Sequence, residues 1–258
     1  AGVVFPESGL KWINEEFETL PTRPQDKFQV REEDIREFRE EIYPYWHGRS
    51  MEDVISQNYG PEISAMAKVV KINQKDHAQG HICPDTKLWL ELGPAGLAEK
   101  ARWAKEQHPE NPEFYDAVIL VMEGARTFMR RYARLLEKTA AENEAYRDDL
   151  LDLADICEAL ADRGAQTFHE AVQSLWFLFT ILHMESNASS FSPGRMDQYL
   201  WPYYEKDIRE GRLTEQKALE ILEALWLKFN QIVYLRNQHS AKYFAGFPIG
   251  FNIAIGGV

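Results

Sequence analysis

Residues 185–200 read ESNASSFSPGRMDQYL and directly follow 172–182, VQSLWFLFTIL, one of the most apolar runs in the chain. Asn, Ser, Pro and Gly residues favour turns. This change of composition therefore predicts that an apolar helix over about 167–186 ends here and that a polar loop begins. A helix that is apolar on nearly every side is expected to lie centrally in a protein.

Two interpretations of this polar loop stay open. In the first, it terminates the helix and is held by an ion pair, because unpaired charges beside a core are costly; the charged residues are Glu185, Arg195 and Asp197. In the second, hydroxyl and amide groups face a cavity and bind a small polar ligand; these groups belong to Asn187, Ser189 and Ser190.

Composition bounds the class of protein. The 258 residues are 45% hydrophobic, which suits one large globular domain or two ordinary ones. A net charge of −12 disfavours nucleic acid and anionic membrane surfaces as partners. The sequence contains no apolar run long enough to predict a membrane span. With two cysteines and no CxxC pair, we expect a reducing, cytoplasmic setting and no zinc site.

Hydrophobic periodicity predicts a helix-rich chain. The segment 113–138 carries apolar residues at three- and four-residue steps, which is typical of a long amphipathic helix. Ser50 is a suitable N-cap residue for one of the shorter helices. The other predicted helices lie at 8–19, 31–43, 50–57, 148–162 and 214–235.

The end of the sequence has a different character. FPIGFNIAIGGV at 247–258 is apolar, rich in β-branched residues and ends in glycines, so it predicts a buried strand that runs into a turn. One strand cannot satisfy its own backbone groups. Either helices cover it at the edge of a parallel sheet, or its partner strands come from residues outside this sequence.

The histidines and cysteines indicate structural roles. His77 and His81 have the spacing of one helix face, but Gly80 and Pro84 argue against a helix there, and no HExxH pattern is present. We therefore favour structural histidines over a metal site. Neither cysteine has a catalytic relay nearby in sequence, and the apolar surroundings of Cys157 predict a core position.

A family resemblance rests on longer stretches of the sequence. The segment 185–214, ESNASSFSPGRMDQYLWPYYEKDIREGRLT, resembles the glycyl radical enzymes related to pyruvate formate-lyase, in their dehydratase, C–X lyase and decarboxylase branch. The resemblance runs collinearly over nearly the whole chain. The supporting stretches are 5–28, 80–97, 114–133 and 247–258.

The resemblance implies an α/β, helix-rich fold in which 1–258 form the N-terminal portion of one domain, a ten-stranded β/α barrel. In this family one loop carries a catalytic Cys and another carries the Gly that stores the radical. Both loops are expected beyond the position that matches Val258. Cys83 and Cys157 match neither motif, so no residue of this chain is assigned a catalytic role, and the chain alone is expected to be inactive.

The resemblance also implies a site and partners. The position that matches Ser190 faces the substrate, and a looser match makes Asn73 and Gln74 candidates for a second substrate contact. No metal site is implied. The expected reaction is hydrogen-atom abstraction from a small polar substrate, followed by cleavage of a C–O, C–N, C–S or C–C bond. The glycyl radical, on a residue outside this chain, would be installed by an S-adenosylmethionine iron–sulfur activating enzyme, and homodimers are common in the family.

A second hypothesis stays open at this point. Because both radical-bearing loops are missing from the sequence, the chain is alternatively a helical scaffold or subunit that keeps the fold without the chemistry.

Overall fold

The computed structural model of the chain describes residues 2–3, 6–70, 81–185, 190–245 and 250–257. Helices dominate this part of the chain, as the sequence predicts. The elements in chain order are β1 (Gly2–Val3), α1 (Pro6–Glu16), α2 (Glu32–Glu37), α3 (Tyr43–Trp46), α4 (Met51–Gln57), α5 (Pro61–Met66), α6 (Thr86–Gln107), α7 (Pro112–Ala141), α8 (Arg147–Asp162), α9 (Phe168–Glu185), α10 (Met196–Arg209), α11 (Glu215–Phe229), β2 (Val233–Tyr234) and α12 (Gln238–Phe244).

Contacts between residues divide the chain into two compact units, each assembled from separate stretches of sequence. The first unit contains Ala1–Ile82, Leu182–Ser192 and Phe229–Asn252. The second unit contains Cys83–Ile181, Pro193–Lys228 and Ile253–Val258. Because α9 supplies residues to both units, they are not two consecutive domains, and the assignment of 1–258 to one domain stays a prediction.

The first unit has its core beside α1. Leu10, Ile13 and Phe38 are buried there, and the ring of Phe17 meets that of Phe38 edge-on with centroids 5.3 Å apart. β1 pairs in parallel with β2, and Gly2 lies opposite Val233. As predicted, Ser50 caps α4, because its Oγ accepts a hydrogen bond from the Asp53 N–H at 3.1 Å.

Two polar side chains attach the segment before α12 to the N-terminal part of the first unit. Nη1 of the buried Arg23 donates to the Arg236 carbonyl at 2.6 Å. Oε2 of Glu16 accepts the Gln238 N–H at 2.8 Å. These bonds join residues 213 and 222 positions apart, so the position of this segment depends on non-local contacts.

The second unit is built around α6, α7 and α8, which pack against one another. Alanines are frequent on the buried faces of α7 and α8, and a single methyl group lets helices approach closely. Arg126 and Arg130 on α7 both donate to Oδ1 of Asp162 at the end of α8, each at 2.6 Å. The helices at 113–138 and 148–162 are therefore confirmed. The predicted apolar stripe of α7 is wrong except at Ala125, because the buried face contains Ala125, Met129, Ala133 and Ala140, whereas Phe114 and Leu135 are exposed.

α6 bends where a neighbouring segment passes it. Gly93 interrupts the helix with φ 63° and ψ 177°, and Pro94 follows. The Ala165 N–H donates to the Leu90 carbonyl at 2.8 Å. A Cβ on Gly164 would lie 2.1 Å from the Glu91 carbonyl oxygen, so only a glycine permits this approach.

α9 is buried along most of its length, as its composition predicts. Its buried apolar residues are Ala171, Val172, Leu175, Phe177, Leu178, Phe179 and Ile181. In the second unit, Nε1 of Trp89 donates to the Ser174 carbonyl at 3.0 Å. Within the described residues, no helix has the length and apolar character needed to cross a membrane.

Two sequence predictions are wrong at the C-terminal side. The helix predicted over 214–235 ends at Phe229, because Val233–Tyr234 form β2 and pair with β1. The segment predicted as a buried strand over 247–258 is described for 250–257, where Ile253 makes a single parallel bridge to Gly194 and Ile255 is 70% exposed. The ten-stranded barrel is not visible in the described part of the chain, whose strands are short.

Candidate functional site

Ser190 is the first described residue after α9. It is half-buried and has a φ of 72°, in the left-handed region that residues with a Cβ seldom adopt. Such a conformation costs about 1–3 kcal/mol and persists where the surroundings impose it. The contacts of the next two residues show how the loop is held.

Residues 191 and 192 fix the loop within the first unit. The Ser192 N–H donates to the Ile82 carbonyl at 2.9 Å, and Oγ of Ser192 accepts the Asn252 N–H at 3.0 Å. The ring of Phe191 is 2% exposed and meets the fully buried His183 edge-on, with ring centroids 5.1 Å apart. The loop therefore bonds to two segments that are distant in sequence.

Gly250 lies beside the Ser190 side chain. A Cβ built on Gly250 would be 3.6 Å from Oγ of Ser190, which is an ordinary van der Waals distance. A serine hydroxyl both donates and accepts hydrogen bonds. The hydroxyl of the strained Ser190 therefore lies next to a position that has no side chain.

In the second unit, an ion pair holds the residues after 253. Arg195 binds Asp197 in a bidentate pair with both N···O distances 3.1 Å, and Oδ2 of Asp197 accepts the Gly256 N–H at 2.9 Å. The hydrogen bonds from the Arg195 side chain, with that from Gly256, lower the pKa of Asp197 to about 2. The Ala254 N–H also donates to the Gly194 carbonyl at 2.9 Å. The predicted ion pair is confirmed for Arg195 and Asp197.

The two cysteines occupy different environments. Cys157 is 2% exposed on α8, as predicted, and burial raises the pKa of its thiol to about 12, so the thiol stays protonated. Cys83 is exposed in the second unit, where a Cβ on Gly194 would lie 2.6 Å from its Sγ. The hydroxyl of the buried Tyr199 donates to the Pro193 carbonyl at 2.9 Å, and burial raises the pKa of Tyr199.

The structure describes only some of the site residues that the sequence predicts. Ser190 is described, whereas Asn73 and Gln74 lie outside the described residues, as do His77, Asn187 and Ser189. That Asn73 and Gln74 form a second substrate contact beside Ser190 therefore stays a prediction. His81 is exposed with a φ of 56°. Among the residues that the structure describes, no group of three His, Cys, Asp or Glu side chains is arranged to hold a metal ion.

Sequence reasoning did not single out Ser192, Gly250 or Asn252. Their roles come from contacts across 60 residues, such as the bond between Ser192 and Asn252. Periodicity reports on neighbours along one element and contains no signal for such contacts.

Comparison with known proteins identifies a family model and several relatives that match this chain. A family model described as pyruvate formate lyase-like matches residues 1–258. The probable dehydratase YbiW of Escherichia coli (strain K12) is 32% identical over 272 aligned positions, across 100% of this chain and 33% of its own length.

Solved structures agree with the sequence comparison. The structure concerned with 1,2-propanediol dehydration in Roseburia inulinivorans matches with a TM-score of 0.83 and 32% identity, over 98% of this chain and 33% of that one. A glycyl radical enzyme from Archaeoglobus fulgidus matches with a TM-score of 0.81 and 32% identity, over 99% of this chain and 34% of that one. The chain thus spans about a third of the length of these relatives.

The resemblance carried by 185–214 and the supporting stretches is therefore confirmed over the whole sequence. The chain belongs to the pyruvate formate lyase-like family.

Proposed function

We propose that this chain forms part of a glycyl radical lyase of the dehydratase type, in which Ser190 binds a polar group of a small substrate. The observation that carries the assignment of Ser190 is its left-handed φ of 72° in a loop tied to Ile82 and Asn252. Strained residues of this kind cluster at active sites and ligand contacts. The dehydratase relatives favour cleavage of a C–O bond with loss of water.

The radical-bearing residues of this proposal come from outside the chain. Cys157 is sealed in the core, Cys83 is exposed, and neither matches the family's cysteine motif. The missing glycyl radical and cysteine would supply hydrogen-atom abstraction from a substrate carbon. The task of this chain is to hold the substrate so that the bond to be broken is correctly oriented, which is a substantial part of catalysis.

Ser190 suits this task because its hydroxyl binds either a hydroxyl or a carboxylate of the substrate. The buried Phe191 and His183 beside it give the loop a firm base. The proposed partners are a small-molecule substrate and a radical S-adenosylmethionine activating enzyme, and the proposed assembly is a homodimer in the cytoplasm.

The radical assignment is tested with the complete polypeptide and its activating enzyme under oxygen-free conditions. We expect a glycyl radical signal in electron paramagnetic resonance, together with loss of water from a 1,2-diol or a related small substrate. A complete polypeptide that never forms the radical would remove the enzyme assignment and leave the non-catalytic scaffold in its place.

The role of Ser190 is tested by Ser190→Ala in the same system. Loss of a neutral hydrogen bond costs about 0.5–1.5 kcal/mol, or roughly 2- to 13-fold in kcat/KM. The radical signal and the thermal midpoint should stay at their wild-type values, since Ala and Ser bear similar strain at this φ. Ser64→Ala, on α5, is the matched control and should leave kcat/KM unchanged. Wild-type kinetics in Ser190→Ala would refute the assignment.

A further inference from the structure

The strained backbone of Ser190 needs a physical cause in its surroundings. A φ of 72° is unfavourable for a residue with a Cβ, so it persists only where neighbouring contacts hold it. Two such contacts come from the residues that follow. Phe191 is buried, and Ser192 forms hydrogen bonds through both its backbone and its side chain.

Ser192 binds two distant segments with two different atoms. Its N–H donates to the Ile82 carbonyl at 2.9 Å. Its Oγ accepts the Asn252 N–H at 3.0 Å. An alanine at 192 would keep the first bond and lose the second, so the side-chain bond can be removed while the loop stays attached.

The side-chain bond bears on Ser190 because of what precedes Asn252. Two residues earlier, a Cβ on Gly250 would lie 3.6 Å from Oγ of Ser190. Ser190 and Gly250 are therefore neighbours with the same offset of 60 residues as Ser192 and Asn252. The hydroxyl of Ser192 thus holds the segment 250–252 alongside the hydroxyl of Ser190.

We propose that Ser192 is a positioning residue for the proposed reaction. By holding the segment 250–252, its hydroxyl keeps Ser190 in the left-handed conformation and so sets the direction of the Ser190 hydroxyl. This inference rests on the proposed function, because the direction of that hydroxyl affects turnover only if Ser190 binds the substrate. Ser192 acts through Ser190 and not by contact with the substrate.

The first test measures the strain without any substrate, by urea denaturation of the complete polypeptide. Ser190→Gly relieves a left-handed strain worth about 5- to 30-fold in the ratio of folded to unfolded protein. If Ser192 imposes the strain, this gain should be at least about 5-fold smaller when Ser192→Ala is also present. The entropic cost of glycine in the unfolded chain is the same in both backgrounds and cancels. Equal gains would overturn the positioning role.

The second test follows turnover of the activated complete polypeptide, with propane-1,2-diol as the probe. Ser192→Ala should lower kcat/KM by no more than Ser190→Ala does, roughly 2- to 13-fold, because it acts only through that hydroxyl. In the Ser190→Ala background the same change should leave kcat/KM unaltered, although it still removes a hydrogen bond.

Two further variants serve as controls for the kinetics. Ser192→Thr keeps the Oγ acceptor and should retain wild-type kinetics. Thr214→Val removes a comparable bond in the second unit, where Oγ1 accepts the Lys217 N–H at 3.1 Å. This variant should leave kcat/KM unchanged, because its bond lies at the start of α11 and not beside Ser190.

The outcomes separate this inference from the proposed function. If Ser190→Ala impairs turnover while Ser192→Ala leaves kcat/KM unchanged, or lowers it equally in both backgrounds, the positioning role is overturned and the proposed function stands. Wild-type kinetics in Ser190→Ala overturn the substrate contact and the positioning role together. A loss in Ser192→Ala that disappears in the Ser190→Ala background, with the smaller gain from Ser190→Gly, supports the inference.

Discussion

Gly194→Ala is expected to destabilise the protein through two separable effects. Gly194 has a φ of 74°, and its carbonyl accepts the Ala254 N–H at 2.9 Å. A left-handed conformation costs a residue with a Cβ about 1–2 kcal/mol. The new Cβ would also lie 2.6 Å from Sγ of Cys83; because Cys83 is exposed and its side chain can rotate, this contact costs about 1 kcal/mol, the low end of the range for overpacking. The total loss is about 2–3 kcal/mol of unfolding free energy.

Two control variants separate these effects. Gly211 has a φ of 71° and nothing within 4 Å of an added Cβ, so Gly211→Ala should show the conformational cost alone, about 1–2 kcal/mol. Cys83→Ala removes the colliding sulfur. Gly194→Ala combined with Cys83→Ala should therefore return to the loss seen for Gly211→Ala, and the double-mutant cycle should give a coupling of about 1 kcal/mol.

The assay is urea denaturation of the complete polypeptide followed by far-ultraviolet circular dichroism, with equal slopes required across the series. If Gly194→Ala and Gly211→Ala lose the same stability, the contact with Cys83 carries no cost and the reasoning fails. The reasoning also fails if the variant with both Gly194→Ala and Cys83→Ala is no more stable than Gly194→Ala alone.

Further predictions concern buried and paired carboxylates. Asp207 is 3% exposed; its Oδ2 accepts the Phe168 N–H at 2.7 Å, and its Oδ1 accepts two hydrogen bonds from the Arg212 side chain. Asp207→Ala should cost about 1–3 kcal/mol in urea denaturation, and Asp207→Asn should cost less, since its amide oxygen still accepts on one of these two sides; equal losses would contradict this. The pKa of Asp197 is about 2, below the ordinary 3.8. Its contribution is therefore present above about pH 4 and lost as pH falls towards 2, and the stability gap between wild type and Asp197→Asn should close over that range. A gap that stays constant with pH would exclude the pairing.

Sequence patterns were most informative where structure is local. The stripe at 113–138 and the apolar run before 185 predicted α7 and α9, because every contact that defines a helix lies within four residues. The end of α11 and the segment 250–257 were predicted less well. Strand pairing joins residues far apart in sequence, such as Gly2 with Val233, and no local pattern specifies that partner.

The candidate site likewise has features that the sequence predicted and features that it did not. Arg195 and Asp197 are two residues apart, and their pairing could be predicted from sequence. The composition of the polar loop made Ser190 one of several candidates, the family resemblance singled it out, and its strained φ of 72° became evident only in the structure. The bond between Ser192 and Asn252 depends on how the chain returns after α12, which composition does not specify.

The glycines show why structure changes the interpretation of a residue type. In the sequence, the glycines at 164, 194 and 250 are indistinguishable. In the structure, a Cβ would collide with a backbone carbonyl at Gly164 and with a thiol at Gly194, whereas at Gly250 it would meet only a serine hydroxyl among the described atoms. Packing explains the first two glycines. Among the described atoms nothing obstructs a Cβ at Gly250, and the same holds for Gly124, so contacts across the fold, and not the residue type, decide which glycines are required.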